Sequence, residues 1–315
     1  GDQVVDCNEG AAGTSIMSHA RGVLYGGQTP VGNETLPQGI GLRTSASEVL
    51  IFQVHYLNAS ASDLAATVNA SLTLDSNPAD ITTQAGLIFF YDPFIDVPPG
   101  ATAKATMRCP IPSDITLLYG SSHYHARGSN YGAYLDTAGS PPSTTPFYTS
   151  NSWSSPPNQQ MQLKVAAGTR LRFECDYDNT SGTLEYFQGP SAQTNEMCMF
   201  IGLYYPEMGQ PADFCISDQD MFGNGTAKCS DTLTCLQACG GKLSVGGLGG
   251  SLPPCEQKCF VQSCPTATAP LMPLVSCIKS SCSTQCDGTS ASACSACVGS
   301  SCGSQYTTCS SHTCN

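Results

Sequence analysis

The sequence predicts a mainly β protein, with β-sandwich domains over the first 228 residues and a small, disulfide-rich helical domain after them. Three observations carry this expectation. Residues 1–228 contain short runs of β-type residues separated by Gly, Pro, Asn and Ser, with no sustained helical periodicity. Cysteine is sparse there and dense afterwards, with 14 of the 19 cysteines falling from Cys229 onward. Charge divides at the same place. The net charge is −12, yet residues 229–315 balance Asp231, Glu256 and Asp287 against Lys242, Lys258 and Lys279, so the first 228 residues hold the whole excess.

In chain order, the clearest strands are Val49–Tyr56, Ala70–Leu74, Leu87–Tyr91, Leu117–His125, Arg170–Tyr177 and Met197–Tyr205. Many strands with Pro/Gly-rich turns and no interleaved helices point to sandwiches. The segment Asp96-Val97-Pro98-Pro99-Gly100 reads as a junction between two of them. In the tail, Cys235-x3-Cys239 and Cys255-x3-Cys259 each place two sulfurs on one helix face. Ser230 or Asp231 can cap the first helix, Gly240 and Gly241 can end it, and Pro253-Pro254 precedes the second. Two antiparallel helices of this kind can be joined as Cys235–Cys259 and Cys239–Cys255. A C-x4-C spacing recurs at Cys259/Cys264, Cys277/Cys282, Cys297/Cys302 and Cys309/Cys314, and the segments 277–282 and 297–302 resemble each other. Disulfides must supply much of the stability of so small a unit. Cys294-x2-Cys297 can be read as a zinc or redox pair, or as two more oxidised cysteines.

Composition narrows the function. Hydrophobic residues make up 40% of the chain, enough for a sizeable core, and charged residues only 11%. With 12 Lys+Arg and no basic stripe, nucleic acid is excluded as a partner. The cysteine content implies an oxidising location: secreted, extracellular or at the cell surface. No signal peptide is visible and no apolar run approaches about 18 residues, so the chain reads as mature, soluble and without a membrane span. Sequons at Asn33, Asn58, Asn69, Asn179 and Asn224 fit a glycoprotein, although a Ser/Thr-rich sequence also produces such triplets by chance.

Only five histidines exist. His123 and His125 stand at i and i+2 and share one face of a strand, which makes them either half of a copper or zinc site or a pair of surface histidines. Gln53 and His55 share the polar face of the apolar run Val49–Tyr56, which suggests a site between domains or a solvated face. Met197, within an apolar run, would by itself be a core residue.

The ordered set Leu36-Pro-Gln-Gly-Ile-Gly-Leu42, Phe52-Gln-Val-His-Tyr56, Val97-Pro-Pro-Gly100 through Cys109 to His123-x-His125, Ala167-Gly-Thr-Arg-Leu-Arg-Phe-Glu-Cys175, Asn195-Glu-Met-Cys198 and Leu203-Tyr-Tyr-Pro206 resembles the copper type II, ascorbate-dependent monooxygenases (the peptidylglycine α-hydroxylating and dopamine β-monooxygenase type). The likeness runs over roughly residues 7–222. It implies two jelly-roll domains, one copper ion in each, ascorbate as the reductant, and hydroxylation of a C–H bond with O2. His123, His125 and Met197 match the catalytic copper site. Imidazoles hold both copper oxidation states, and a soft thioether favours Cu(I). His55 matches one ligand of the electron-supplying copper, and Gln53 a residue near the path between the metals. The disulfides Cys109–Cys215 and Cys175–Cys198 carry over in the same way.

The departures matter equally. The family's His-His pair upstream of Cys7 has no counterpart, His19 matches no ligand, and Cys7 is left without its family partner. The first sandwich (1–97) is therefore expected to be incomplete, ahead of a second (98–222) and the tail (223–315). The missing part is expected to be supplied by another polypeptide bound through Cys7, cleaved away, or replaced by an assembly partner. Where peptide-handling relatives carry an Arg and polar groups, this chain has Ser121, Met199 and Ile201, which argues against a peptide carboxylate as the recognised group. The substrate is otherwise a small molecule or an organic compound of unknown class. Two readings result: a copper-dependent monooxygenase, or a non-catalytic secreted copper-binding or assembly protein on the same scaffold.

Overall fold

The computed structural model describes residues 24–27, 31–45, 48–52, 54, 60–65, 67–75, 77–209, 213, 215, 223–239, 252–286 and 289–314. Before residue 85 the described residues form β1 (Ile40–Gly41) and β2 (Thr83–Gln84), paired in parallel, and a short 3-10 helix at Pro78–Asp80. The strands expected at Val49–Tyr56 and Ala70–Leu74 are not formed by their described residues. Val49, Leu50, Ile51, Phe52, Val54, Leu72 and Leu74 are exposed and belong to no ladder. An apolar run has strand propensity, but a strand needs a paired neighbour to satisfy its backbone.

The sandwich begins at residue 86. One antiparallel sheet has the order β3-β12-β6-β9: Gly86–Tyr91, Cys198–Tyr205, Ile115–Tyr124 and Gln159–Val165. The other has the order β5-β10-β7-β8: Thr102–Pro110, Arg170–Asp178, Gly128–Asp136 and Tyr148–Ser150. Because β3 pairs with β12, the Asp96–Gly100 segment lies inside this sandwich and not ahead of it. There β4 (Asp96–Val97) pairs with β11 (Tyr186–Phe187). Alternation along each strand turns Ile88, Phe90, Leu117, Tyr124, Phe200 and Tyr204 inward against Met107, Tyr131, Leu171, Phe173 and Tyr177 of the facing sheet. The opposite face of the β3-β12-β6-β9 sheet is also apolar. Leu87, Leu118, Tyr119 and Leu203 gather there with Leu36, Ile40 and Leu42 from the N-terminal segment. Cys175–Cys198 joins the two sheets, and Cys109–Cys215 ties β5 to the segment after β12.

Among the described residues the tail has five α-helices: α1 (Cys229–Ala238), α2 (Pro254–Val261), α3 (Thr268–Ser281), α4 (Ala291–Ser301) and α5 (Gly303–Ser310). Both pairings read from the helix spacing form, Cys235–Cys259 and Cys239–Cys255. The first helix starts earlier than Ser230 or Asp231 would place it. Its N-cap is Lys228, without a side-chain cap, because the Cys229–Cys309 bond anchors its first residue to α5. The two similar C-x4-C segments bind each other reciprocally, as Cys277–Cys302 and Cys282–Cys297. Cys294 bonds to Cys286, so Cys294 and Cys297 are no zinc or redox pair. Sulfur supplements a thin apolar core of Leu233, Leu236, Phe260, Leu271, Leu274, Val275 and Ile278.

The tail packs on the sandwich. Phe260 of α2 meets Phe94 with ring centroids 4.5 Å apart. Lys258 pairs with Glu185 at 2.7 Å, a half-exposed contact of small energetic weight. Among the described residues, no helix is long and apolar enough to cross a membrane.

Candidate metal centre

The site lies at one end of the β6–β12 pair. In their register, Cys198 faces Tyr124 and Met199 faces His123, with Met197 and His125 each one residue outside the ladder. Tyr124 and Cys198 point into the core, the latter to its disulfide partner Cys175. The alternation therefore sends His123 and Met199 to the outer face, with His125 just past the end of β6. The two imidazole rings stand 5.1 Å apart between centroids and nearly perpendicular, at 88°. His125 is buried, and its Nδ1 lies 3.0 Å from the Asn195 carbonyl oxygen. A carbonyl only accepts, so Nδ1 carries the proton and the lone pair resides on Nε2, the tautomer suited to metal ligation.

Met197 is half-buried and stands just ahead of β12. Its carbonyl accepts a hydrogen bond from the buried Tyr177 hydroxyl at 2.7 Å. On its other side, Glu196 is fully buried. Glu196 Oε1 accepts from the Arg127 backbone N–H at 3.2 Å and from Arg127 Nη1 at 3.0 Å. Burial pushes the Glu196 carboxyl up to about 7, against the opposing pull of Arg127. The Arg127 guanidinium also lies 3.5 Å above the centre of the Tyr186 ring. The segment 186–197 is thus held from several directions, and Asn195 and Met197 are engaged through their backbone carbonyls.

The structure brings His123 and His125 together, and Met197 immediately precedes the strand that pairs with β6. Gln53 and His55 lie outside the described residues, as do Cys7 and His19, so the electron-supplying site has no geometry to report. Sequence reasoning missed Arg127, the Asn195 carbonyl and the position of Met199 directly across from His123. The Met199 placement was accessible from the alternation of Met197-Cys198-Met199 once Cys198 was fixed inward. The other two depend on backbone atoms distant in the chain. Among the described residues, the donor atoms of Cys264, His312 and Cys314 also cluster, but both sulfurs are consumed in the Cys264–Cys314 disulfide.

No curated relative matches the chain. Residues 85–223 match the family model described as the copper type II ascorbate-dependent monooxygenase, C-terminal domain. These residues cover both four-stranded sheets, both sheet-anchoring disulfides and the histidine pair. Over these residues the sandwich is similar to the C-terminal domain of the copper type II, ascorbate-dependent monooxygenases, a family whose description names copper and a dependence on ascorbate.

Proposed function

We propose that this chain is a secreted copper protein in which His123, His125 and Met197 hold one copper ion, and that it hydroxylates a C–H bond at the expense of O2 and ascorbate. The observation that carries this reading is the His125 ring. It is buried, proton-bearing at Nδ1 through the Asn195 carbonyl, and set 5.1 Å from the His123 ring, with Met197 immediately ahead of the strand that pairs with that of His123. Two neutral imidazoles and a thioether form a donor set suited to Cu(I). Bound copper would supply one-electron chemistry toward O2. The chain's own residues orient the donors: Asn195 sets the His125 tautomer, Tyr177 and the Cys175–Cys198 bond fix the backbone around Met197, and the apolar outer face limits access of water.

Ser121, Met199 and Ile201 beside the site offer no cation for a carboxylate, which supports a substrate that is not recognised through one. Nine disulfides use eighteen of the nineteen cysteines. The remaining one is Cys7, outside the described residues; Gln53 and His55 belong to the electron-supplying site.

The second reading, a copper-binding or assembly protein without turnover, is favoured by the exposed run Val49–Phe52 and Val54, an apolar surface suited to another chain. Anaerobic Cu(I) titration followed by ascorbate-driven oxygen uptake separates the two. Copper uptake with oxygen consumption supports the enzyme, copper without consumption supports the binding protein, and no copper at all refutes both.

A further inference from the structure

The tail touches the metal-ligand segment through one side chain. Gln257, on α2, is 1% exposed and fully engaged. Its Oε1 accepts from the Gln188 N–H at 2.8 Å and from the Ile95 N–H at 3.5 Å. Its Nε2 donates to the Gln188 carbonyl at 3.1 Å and to the Leu252 carbonyl at 2.8 Å. The amide thus grips both backbone groups of Gln188, as a neighbouring strand would. Gln188 in turn bridges Glu196 in parallel. The Gly189 N–H donates to the Glu196 carbonyl at 3.1 Å, and the Glu196 N–H to the Phe187 carbonyl at 2.9 Å. Glu196 is covalently joined to both Asn195, whose carbonyl orients His125, and Met197.

We propose that Gln257 is a positioning residue for the metal centre, through which the disulfide-rich tail sets the placement of Met197 and the orientation of His125. This rests on the copper reading of His123, His125 and Met197. A side chain with four buried hydrogen bonds to backbone is costly to leave unmatched. Its position between Cys255 and Cys259, each bonded to α1, holds it rigidly. The tail is thus part of the machinery of the sandwich and not an appended module. Residues that orient metal ligands from outside the ligand set typically change metal affinity by about 10- to 100-fold when removed.

The test is Gln257→Met, which keeps the length and loses the amide, with Gln257→Asn as a second variant should the first not fold. Lys258→Ala is the control, since it breaks an exposed tail–sandwich contact on the same helix. In full-length, disulfide-intact protein, Gln257→Met should weaken Cu(I) binding about tenfold. It should also diminish the copper–sulfur component in X-ray absorption and speed amide exchange across residues 187–197 in the metal-free state. Lys258→Ala should leave all three unchanged. Unaltered affinity and sulfur signal in Gln257→Met overturn the proposal, as does an equal loss in Lys258→Ala. A wild-type chain that takes up no copper overturns instead the metal reading beneath it, a result distinguishable because the exchange measurement needs no metal.

Discussion

Asp92 offers the sharpest physical test of the sandwich. It is buried at the end of β3, where its backbone N–H donates to the Cys198 carbonyl and its Oδ1 accepts from the Phe94 N–H at 2.9 Å. That local turn aims Phe94 at Phe260 of the tail. Burial pushes the Asp92 carboxyl up to about 8, opposed only in part by the Phe94 N–H. The folded protein therefore binds one more proton than the unfolded chain across the window from about pH 4 to about pH 8. Its share of stability is fully present below that window and falls as pH rises, by at most about 1.4 kcal/mol per unit. Asp92→Asn keeps the acceptor oxygen and removes the ionisation. The shift sets a ceiling of roughly 4 kcal/mol of relative stabilisation at pH 7, and relaxation around a buried charge brings the expected gain to about 2 kcal/mol. For a chain of this size that is about 4–8 °C in Tm. Denaturant unfolding with disulfides intact, run from pH 3.5 to 8.5, should show the wild type and variant together at the acid end and diverging above it. Parallel curves across the whole range would refute the reasoning.

Three further outcomes are expected. Met197→Ile should retain the fold, since the side chain is only half-buried, and should lose the copper–sulfur signal and oxygen uptake, read by X-ray absorption and oxygen electrode. Cys175→Ala with Cys198→Ala opens a loop of sequence separation 23; it should cost about 3 kcal/mol in chemical denaturation and also weaken copper binding, because β12 loses its anchor beside Met197. Asn179 occupies a sequon but is buried, its Nδ2 donating to the Pro98 and Leu184 carbonyls at 2.8 Å each; glycopeptide mass spectrometry should find it unmodified, and Asn179→Ala should destabilise the sandwich by about 2 kcal/mol or more.

The legible parts of the fold were those with their own periodicity. Leu87–Tyr91, Leu117–His125, Arg170–Tyr177 and Met197–Tyr205 each contain a buried alternation, and each forms a principal strand. The cysteines of α1 and α2 were legible because a spacing of four fixes a helix face. Val49–Val54 misled because local propensity says nothing about whether a neighbour exists to pair with. The helices α3 to α5 gave little signal. One carries Pro273 inside it, and the others are rich in small and polar residues and Cys, where sulfur replaces the aliphatic stripe that normally reveals a helix. At the site, residue types were visible but their supports were not. Gln257, Arg127 and Asn195 act through contacts spanning about 70 residues of chain, and such contacts leave no spacing to read.

The interlaced sulfur bonds of the tail also constrain how the protein can be made. Fourteen cysteines admit on the order of 10^5 pairings, and the α2 helix whose glutamine meets residue 188 is held by two specific ones, Cys235–Cys259 and Cys239–Cys255. Biosynthesis therefore calls for an oxidising compartment with thiol–disulfide exchange, where wrong bonds can be broken and re-formed. Material produced in a reducing cytosol and oxidised afterwards would carry scrambled tails, and its shortfall in metal occupancy would report errors of maturation far from the imidazoles themselves.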